Sequence, residues 1–135
     1  PYVRSALDVQ KVERLDHGVQ SSKDPALMQR LAKERIPLTV CPLSNLKLCV
    51  FPDLAAHNIK SLLDAGLVAT INSDDPAYFG GYMNENWVQT FGATGLNARH
   101  AWQLAANSFE ASFIDASAKQ AYMDRLGTVY AQFAA

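Results

Sequence analysis

Two pairs of adjacent residues carry side chains that could bind a metal ion or move a proton. Asp16 precedes His17, and Asp74 precedes Asp75. Carboxylate oxygens and imidazole nitrogens are common ligands of divalent ions, and histidine is the side chain best suited to exchange a proton near neutral pH. Adjacent side chains in an extended segment point in opposite directions, so one aspartate could face a metal while the other faces a substrate. The competing interpretation of the second pair is a turn that caps a helix.

Other polar residues have structural interpretations. Ser44 and Asn45 lack the Gly-x-Ser-x-Gly context of a nucleophilic serine, and we expect them to hydrogen-bond loop backbones around the site. His57 and His100 each stand at the start of a predicted helical segment, where a capping or surface role suffices. The chemistry is therefore expected to depend on the two pairs of acidic and histidine residues.

Each polar cluster follows a predicted strand. Residues 38–41 and 68–71 form short, nearly continuous apolar runs, which are typical of parallel strands buried on both faces, and residues 12–15 are a weaker third candidate. Ligands bind at the carboxyl ends of such strands, because the loops there can vary without disturbing the core. The three clusters should therefore meet at one edge of a sheet.

Helical patterns separate and follow these strands. Asp24 and Pro25 supply an N-cap and a first-turn proline for a helix that must end before Pro37. An apolar stripe beginning at Ile59 predicts a second helix, with Gly66 as its C-cap. Three further helices are predicted at residues 84–91, 97–109 and 117–133.

The alternation of helices and strands predicts an α/β architecture of right-handed βα units repeating every roughly 25 to 30 residues. Residues 1–135 contain no flexible linker and are predicted to form a single unit. Three parallel strands cannot close a barrel by themselves. Because the chain also starts at Pro1 without an initiator methionine, we expect that an upstream part of the fold is missing.

Composition excludes several classes of protein. Twelve basic and thirteen acidic residues leave a formal net charge of -1, so no nucleic-acid-binding surface is predicted. The apolar stretches are far shorter than the ~20 residues that span a bilayer, and a soluble, cytoplasmic protein without membrane contact is expected. Cys41 and Cys49 have no metal-binding spacing and are predicted to be reduced, mostly buried thiols.

Four segments together resemble, in order and spacing, the C-terminal portion of the adenosine/adenine deaminase family of metal-dependent hydrolases. They are RLDHG (14–18), CPLSN (41–45) with Leu48, NSDDP (72–76) and ANSF (106–109). The resemblance covers nearly the whole chain. It implies the C-terminal part of a (β/α)8 TIM barrel, comprising the last three parallel strands with their helices and the C-terminal helices.

The resemblance also implies a zinc-dependent enzyme that removes the amine from a purine base and releases ammonia. His17 would orient and help deprotonate the catalytic water, Asp74 would be a zinc ligand, and Asp75 would hydrogen-bond the purine ring at N7. The family's other ligands, three histidines, and its proton-donating glutamate would precede Pro1. With one zinc ligand, the isolated 135 residues should be inactive.

Asp16 favours adenine over adenosine as the substrate. The adenine-specific members of the family carry aspartate before the histidine, where adenosine deaminases carry glycine, and residues 80–87 also resemble the adenine subgroup. A carboxylate there could accept a hydrogen bond from the imidazole N–H that ribose removes. The alternatives are an adenosine deaminase, an enzyme for a modified adenine, an inert fragment or piece of a split enzyme, and an unrelated α/β binding module. A homo-oligomer is compatible with each.

Overall fold

A three-stranded parallel β-sheet lies at the centre of the computed structural model, which describes residues 2–133. Its strands are β1 (Leu15–Asp16), β2 (Leu38–Val40) and β3 (Ala69–Ile71), in that spatial order. All neighbouring strands run parallel, so their carboxyl ends meet at one edge, as the sequence predicts. The two apolar runs are confirmed as β2 and β3.

The prediction for the first strand is wrong at its boundaries. Only Leu15 of the predicted residues 12–15 belongs to β1, which continues to Asp16. The ladder begins where the backbone N–H of Leu15 donates to the carbonyl of Pro37, and the N–H of His17 then donates to that of Thr39. Pairing with the next strand, rather than local apolar character, therefore determines where β1 lies.

Helices precede, connect and follow the strands. The connections also include a π-helical turn at Ala6–Gln10 and a 3₁₀ segment at Val19–Lys23. Within residues 2–133 the α-helices are α1 (Tyr2–Ser5), α2 (Pro25–Glu34), α3 (Pro42–Lys47), α4 (Ile59–Asp64), α5 (Pro76–Phe79), α6 (Met83–Thr94), α7 (Ala98–Ala111) and α8 (Ala116–Phe133). No helix in this part of the chain combines the length and apolar character needed to cross a bilayer.

The predicted caps of α2 are confirmed. The Asp24 side chain accepts a hydrogen bond of 3.0 Å from the backbone N–H of Leu27, and Pro25 occupies the first turn. The helix ends at Arg35, whose left-handed backbone lets its N–H bond back to the last turn before Pro37. These local interactions determine how the chain turns from α2 into β2.

The three C-terminal helices are confirmed, with ends that differ from the predicted ones by at most three residues, whereas α3 and α5 are not among the predicted helices. Both missed helices begin at a proline in the segment that follows a strand; α3 has six residues and α5 has four. Such helices are shorter than the two turns that an apolar periodicity needs. They matter here because they arrange the polar residues at the edge of the sheet.

The hydrophobic core lies on one face of the sheet. Leu15, Leu38 and Ala69 are in register across the three strands, and Val40 and Ile71 continue this face. They pack with buried leucines and isoleucine from α2, α4 and α7, the residues Leu27, Leu31, Ile59, Leu62, Leu63 and Leu104. This side of the molecule is therefore closely packed and apolar.

The opposite face carries polar residues; β3 is buried on both faces as predicted, whereas β2 is only half-buried at Thr39. Asp16, Thr39 and Thr70 are in register on this face, where Asp16 is exposed, Thr39 half-buried and Thr70 buried. Side chains alternate between faces along a strand, so these three residues must point away from the core. The polar face leads directly to the edge where the predicted site residues lie.

Candidate active site

A cavity of about 380 Å³ opens at the carboxyl ends of the three strands. It is lined by Asp16, His17, Thr39, Cys41, Asn72, Ser73, Asp74 and Met83. Three of the four residues predicted to do chemistry, Asp16, His17 and Asp74, therefore meet around one space. They come from β1 and from the loops that follow β1 and β3.

His17 and Asp74 face each other across this cavity. Nε2 of His17 lies 3.8 Å from Oδ2 of Asp74, and their side chains are 40% and 28% exposed. A potential ligand atom of Cys41 lies within 4.8 Å of one on each of these residues. Imidazole nitrogen and carboxylate oxygen at this separation form a donor pair that could bind one divalent ion or one polar substrate atom.

Both residues have an unusual backbone conformation. The φ angle is 56° for His17 and 59° for Asp74, in the left-handed region that costs a non-glycine residue about 1 to 2 kcal/mol. Gly18 continues this turn with a φ of 72°, and a Cβ atom there would lie 2.6 Å from Leu38 Cδ2. Strained backbone persists where the surrounding structure enforces it, and it is concentrated at functional sites.

Ser44 holds the carboxylate of Asp74. Its side chain lies on α3, is 0% exposed, and donates a hydrogen bond of 2.7 Å from Oγ to Oδ2 of Asp74. This differs from the predicted contact with loop backbone. The bond orients the carboxylate and leaves Oδ1 without a hydrogen-bond partner among residues 2–133.

Asn45 also contacts a side chain rather than backbone. His57 is buried, and its Nδ1 accepts a hydrogen bond from the Ile59 N–H at the start of α4, so its Nε2 donates to Asn45 Oδ1 at 3.2 Å. The predicted capping role of His57 is confirmed, although the residue is not at the surface. Burial lowers the pKa of His57 to about 4, so the ring is neutral. The neutral His57 ring therefore holds α3 in place through its hydrogen bond to Asn45.

His100 is likewise a capping residue. It forms a capping box with Asn97 at the start of α7: Asn97 Oδ1 accepts from the His100 N–H, and the His100 ring accepts from the Asn97 N–H. Neither His100 nor Asn97 lines the cavity described above. The predicted structural interpretation of His100 is confirmed.

Cys41 lies at the base of the cavity as a protonated thiol. Burial, and then the negative charges of Asp74 and Asp16, raise the pKa of Cys41 to about 12. The thiol donates a weak hydrogen bond to the carbonyl of Thr39 at 3.5 Å. Cys41 is buried as predicted, whereas Cys49 is exposed, and that part of the prediction is wrong.

Asp75 is not part of this cavity lining. It precedes Pro76 at the N-terminus of α5, is exposed, and makes no capping hydrogen bond within the described residues. Of the two adjacent aspartates, Asp74 lines the cavity and Asp75 does not. The helix-capping alternative finds no support, because α5 starts without that side-chain bond.

Sequence reasoning missed two cavity residues, Thr39 and Met83. Thr39 is the one polar residue of the run 38–41 apart from its terminal cysteine, and that interruption of an apolar strand was the available indication. Met83 comes from the start of α6, more than sixty positions from β1, and nothing local predicts its arrival at the site.

The side chains around the cavity supply part of the ligand set that a metal ion needs. Asp74 offers Oδ1, and His17 offers a ring nitrogen; Nδ1 of His17 is buried without a hydrogen-bond partner within residues 2–133. Zinc takes four ligands in tetrahedral geometry. Two donors from these residues do not complete that set, so further ligands would have to come from elsewhere.

Comparisons with known proteins place this geometry in context. The family model for adenosine deaminase matches residues 1–129. An adenine deaminase from Albidiferax ferrireducens is 68% identical over 132 residues, which are 98% of this chain and 38% of that relative. The chain therefore spans well under half the length of this relative.

Two solved structures are also similar to this chain, and each is similar over only part of its own length. The crystal structure of adenine deaminase from Arthrobacter aurescens has a TM-score of 0.91 and 42% identity, over 94% of this chain and 39% of that chain. An amidohydrolase from Burkholderia ambifaria with bound Zn has a TM-score of 0.88 and 27% identity, over 98% of this chain and 37% of that chain.

Proposed function

Because the chain belongs to the adenosine deaminase family, we propose that the complete enzyme hydrolyses adenine to hypoxanthine and ammonia, and that these 135 residues supply one part of its active site. The chain corresponds to the C-terminal part of the family's TIM barrel, with its last three strands and their helices. The remaining strands, and the ligands on them, belong to the rest of the complete enzyme.

The observation that carries the proposal is the meeting of Asp16, His17 and Asp74 around one cavity, in a chain 68% identical to an adenine deaminase. A carboxylate and an imidazole facing each other at 3.8 Å are suited to hydrolytic chemistry at a metal. A second carboxylate on the same cavity offers a place to recognise the base.

Asp74 is proposed as a metal ligand, with zinc as the metal. The bound Zn of the Burkholderia ambifaria amidohydrolase supports this choice. When bound, zinc acts as a Lewis acid and lowers the pKa of a coordinated water toward ~7. Ser44 donates to Oδ2 of Asp74, and this leaves Oδ1 as the oxygen that would be available to the ion.

His17 is proposed to orient the attacking water and to hold its proton. Its Nε2 faces the same side of the cavity as the Asp74 carboxylate, so a water between them would contact both groups. Attack at the C6 carbon of the purine breaks the C–N bond to the amine once a proton reaches the departing nitrogen. The left-handed backbone at His17 and Gly18 keeps the ring in this position.

Two further carboxylates are proposed to bind the base. Asp75 would hydrogen-bond the purine ring at N7, which requires its side chain to reach a substrate lying beside Asp74. Asp16 would accept a hydrogen bond from the imidazole N–H of free adenine. A nucleoside lacks that N–H, and where the bound substrate excludes water from the Asp16 carboxylate, the unpaired acceptor costs ~1 to 3 kcal/mol.

The test is a deamination assay on the full-length enzyme with metal analysis of the same sample. We expect bound zinc, turnover of adenine well above that of adenosine, and erosion of this preference in Asp16→Gly. The isolated 135-residue chain is expected to be inactive. Preference for adenosine would identify the nucleoside as the substrate instead, and turnover by the isolated chain would contradict the proposed division of the site.

A further inference from the structure

A hydrogen-bonded pair on the polar face of the sheet lines the candidate site. Asp16 ends β1 and is in register with Thr39, the middle residue of β2. The Thr39 hydroxyl donates a hydrogen bond of 2.8 Å from Oγ1 to Oδ1 of Asp16. Both side chains line the same cavity. A threonine within an otherwise apolar strand therefore reaches the site through its hydroxyl group.

This pair leaves one carboxylate oxygen for a ligand. A hydroxyl group carries a single proton, and Thr39 gives that proton to Oδ1. Within residues 2–133, Oδ2 of Asp16 has no hydrogen-bond partner. Threonine is β-branched and stiff about χ1, and β2 is the central strand, paired on both sides. The carboxylate is thus held in one orientation, with Oδ2 as its remaining acceptor.

We propose that Thr39 is a positioning residue that favours purine bases with a free imidazole-ring N–H over purines substituted at that nitrogen. The inference rests on the proposed function, in which Asp16 accepts a hydrogen bond from this N–H. A carboxylate already held by Thr39 loses little side-chain freedom when the base binds, and this pre-organisation strengthens binding. A substituted ring nitrogen has no proton to donate and gains nothing from Thr39.

The test compares two variants of the full-length, metal-loaded enzyme. Thr39→Val keeps the branched shape and removes the hydroxyl, whereas Thr39→Ser keeps the hydroxyl. For Thr39→Val, we expect the inhibition constant of hypoxanthine to rise about tenfold, as one lost hydrogen bond predicts. The constant for 9-methylhypoxanthine should change less than about twofold. Thr39→Ser should recover most of the loss for hypoxanthine.

Thr70→Val is the matched control. Thr70 is in register with Thr39 on the neighbouring strand, but its hydroxyl donates to the Leu38 carbonyl at 3.3 Å and accepts from Nδ2 of Asn72 at 2.8 Å, without contacting Asp16. The same chemical change there should leave the ratio of the two inhibition constants unaltered. Thermal unfolding of all variants checks that each is folded.

A double-mutant cycle with Asp16→Ala separates positioning from general structure. In that background, Thr39→Val should not change the ratio further. A loss equal for both inhibitors, or one that persists without Asp16, overturns the proposal. Two other results would show that the proposed function itself is wrong. One is that the unmodified enzyme does not deaminate adenine, and the other is that Asp16→Ala leaves the ratio of the two inhibition constants unchanged. The inference about Thr39 is then wrong as well.

Discussion

The two faces of the three-stranded sheet differ in what their side chains do. On one face, Leu15, Leu38 and Ala69 pack against helices in a closely packed core. On the other, Asp16 and Thr39 bond to each other and border a cavity. The same backbone ladder fixes both rows, because alternate residues of each strand belong to opposite faces. Residues of the core and residues proposed to recognise the substrate are therefore separated by a single position along the strand.

The largest expected effect concerns the polar edge. Asp74→Asn in the full-length enzyme should lower kcat/KM by about 10³-fold or more and reduce the bound metal, because a neutral amide replaces the proposed ligand. Asparagine tolerates the left-handed backbone found at this position, so the free energy of unfolding of the metal-free protein should change by at most about 1 kcal/mol.

The matched control is Asp53→Asn, in an exposed loop where the carboxylate accepts one hydrogen bond within residues 2–133, from the Ala56 N–H. Steady-state kinetics, metal analysis and denaturant unfolding measure the three quantities. If Asp74→Asn retains full metal content and activity, Asp74 is not a ligand, and the polar edge loses its proposed role.

The apolar face should show the opposite behaviour. Leu38 is 0% exposed, and Leu38→Ala should lower the free energy of unfolding by about 2 to 5 kcal/mol through lost burial and a residual cavity. The kcat of the folded variant should stay within about threefold of the unmodified enzyme. Leu48→Ala removes the same atoms from a residue that is 57% exposed and should cost less than about 0.5 kcal/mol. Equal losses in urea unfolding would contradict this picture of the core.

The pH dependence of stability tests the contribution of His57, the buried residue that hydrogen-bonds Asn45 on α3. His57 is 4% exposed with a pKa of about 4, below the ordinary 6.5, so unfolding binds a proton between these values. Its contribution is fully present above pH 6.5 and is lost as the pH falls toward 4, by about 3 kcal/mol in total. Unfolding at several pH values, with His57→Gln as a non-titrating control, should show the two stabilities converging on acidification. If the difference in stability between the two proteins stays constant with pH, His57 does not make this contribution.

The sequence predicted the features that depend on local patterns. Continuous apolar runs identified β2 and β3, and the cap at Asp24 identified the start of α2. The polar edge was also predictable, since parallel strands bring their carboxyl ends together. Residues 12–15 were misplaced because β1 is defined by its hydrogen bonds to β2 and not by its own composition.

The details of the site depend on three-dimensional contacts that no local pattern contains. The hydrogen bond from Ser44 to Asp74 joins residues thirty positions apart. Thr39 was missed because the nearly continuous apolar run around it predicted a strand buried on both faces. Adjacency alone could not decide which of Asp74 and Asp75 enters the cavity; the left-handed backbone at Asp74 and the start of α5 at Asp75 make that distinction.

The protonated state of Cys41 has a practical consequence for chemical labelling. Thiolate is the form that reacts with maleimides and peroxides, and a pKa of about 12 leaves only on the order of one molecule in 10⁵ as thiolate at neutral pH. Cys49 is exposed and lies outside the cavity. Of these two cysteines, a fluorophore or spin probe should therefore attach at Cys49 rather than at Cys41, which leaves the candidate site unmodified.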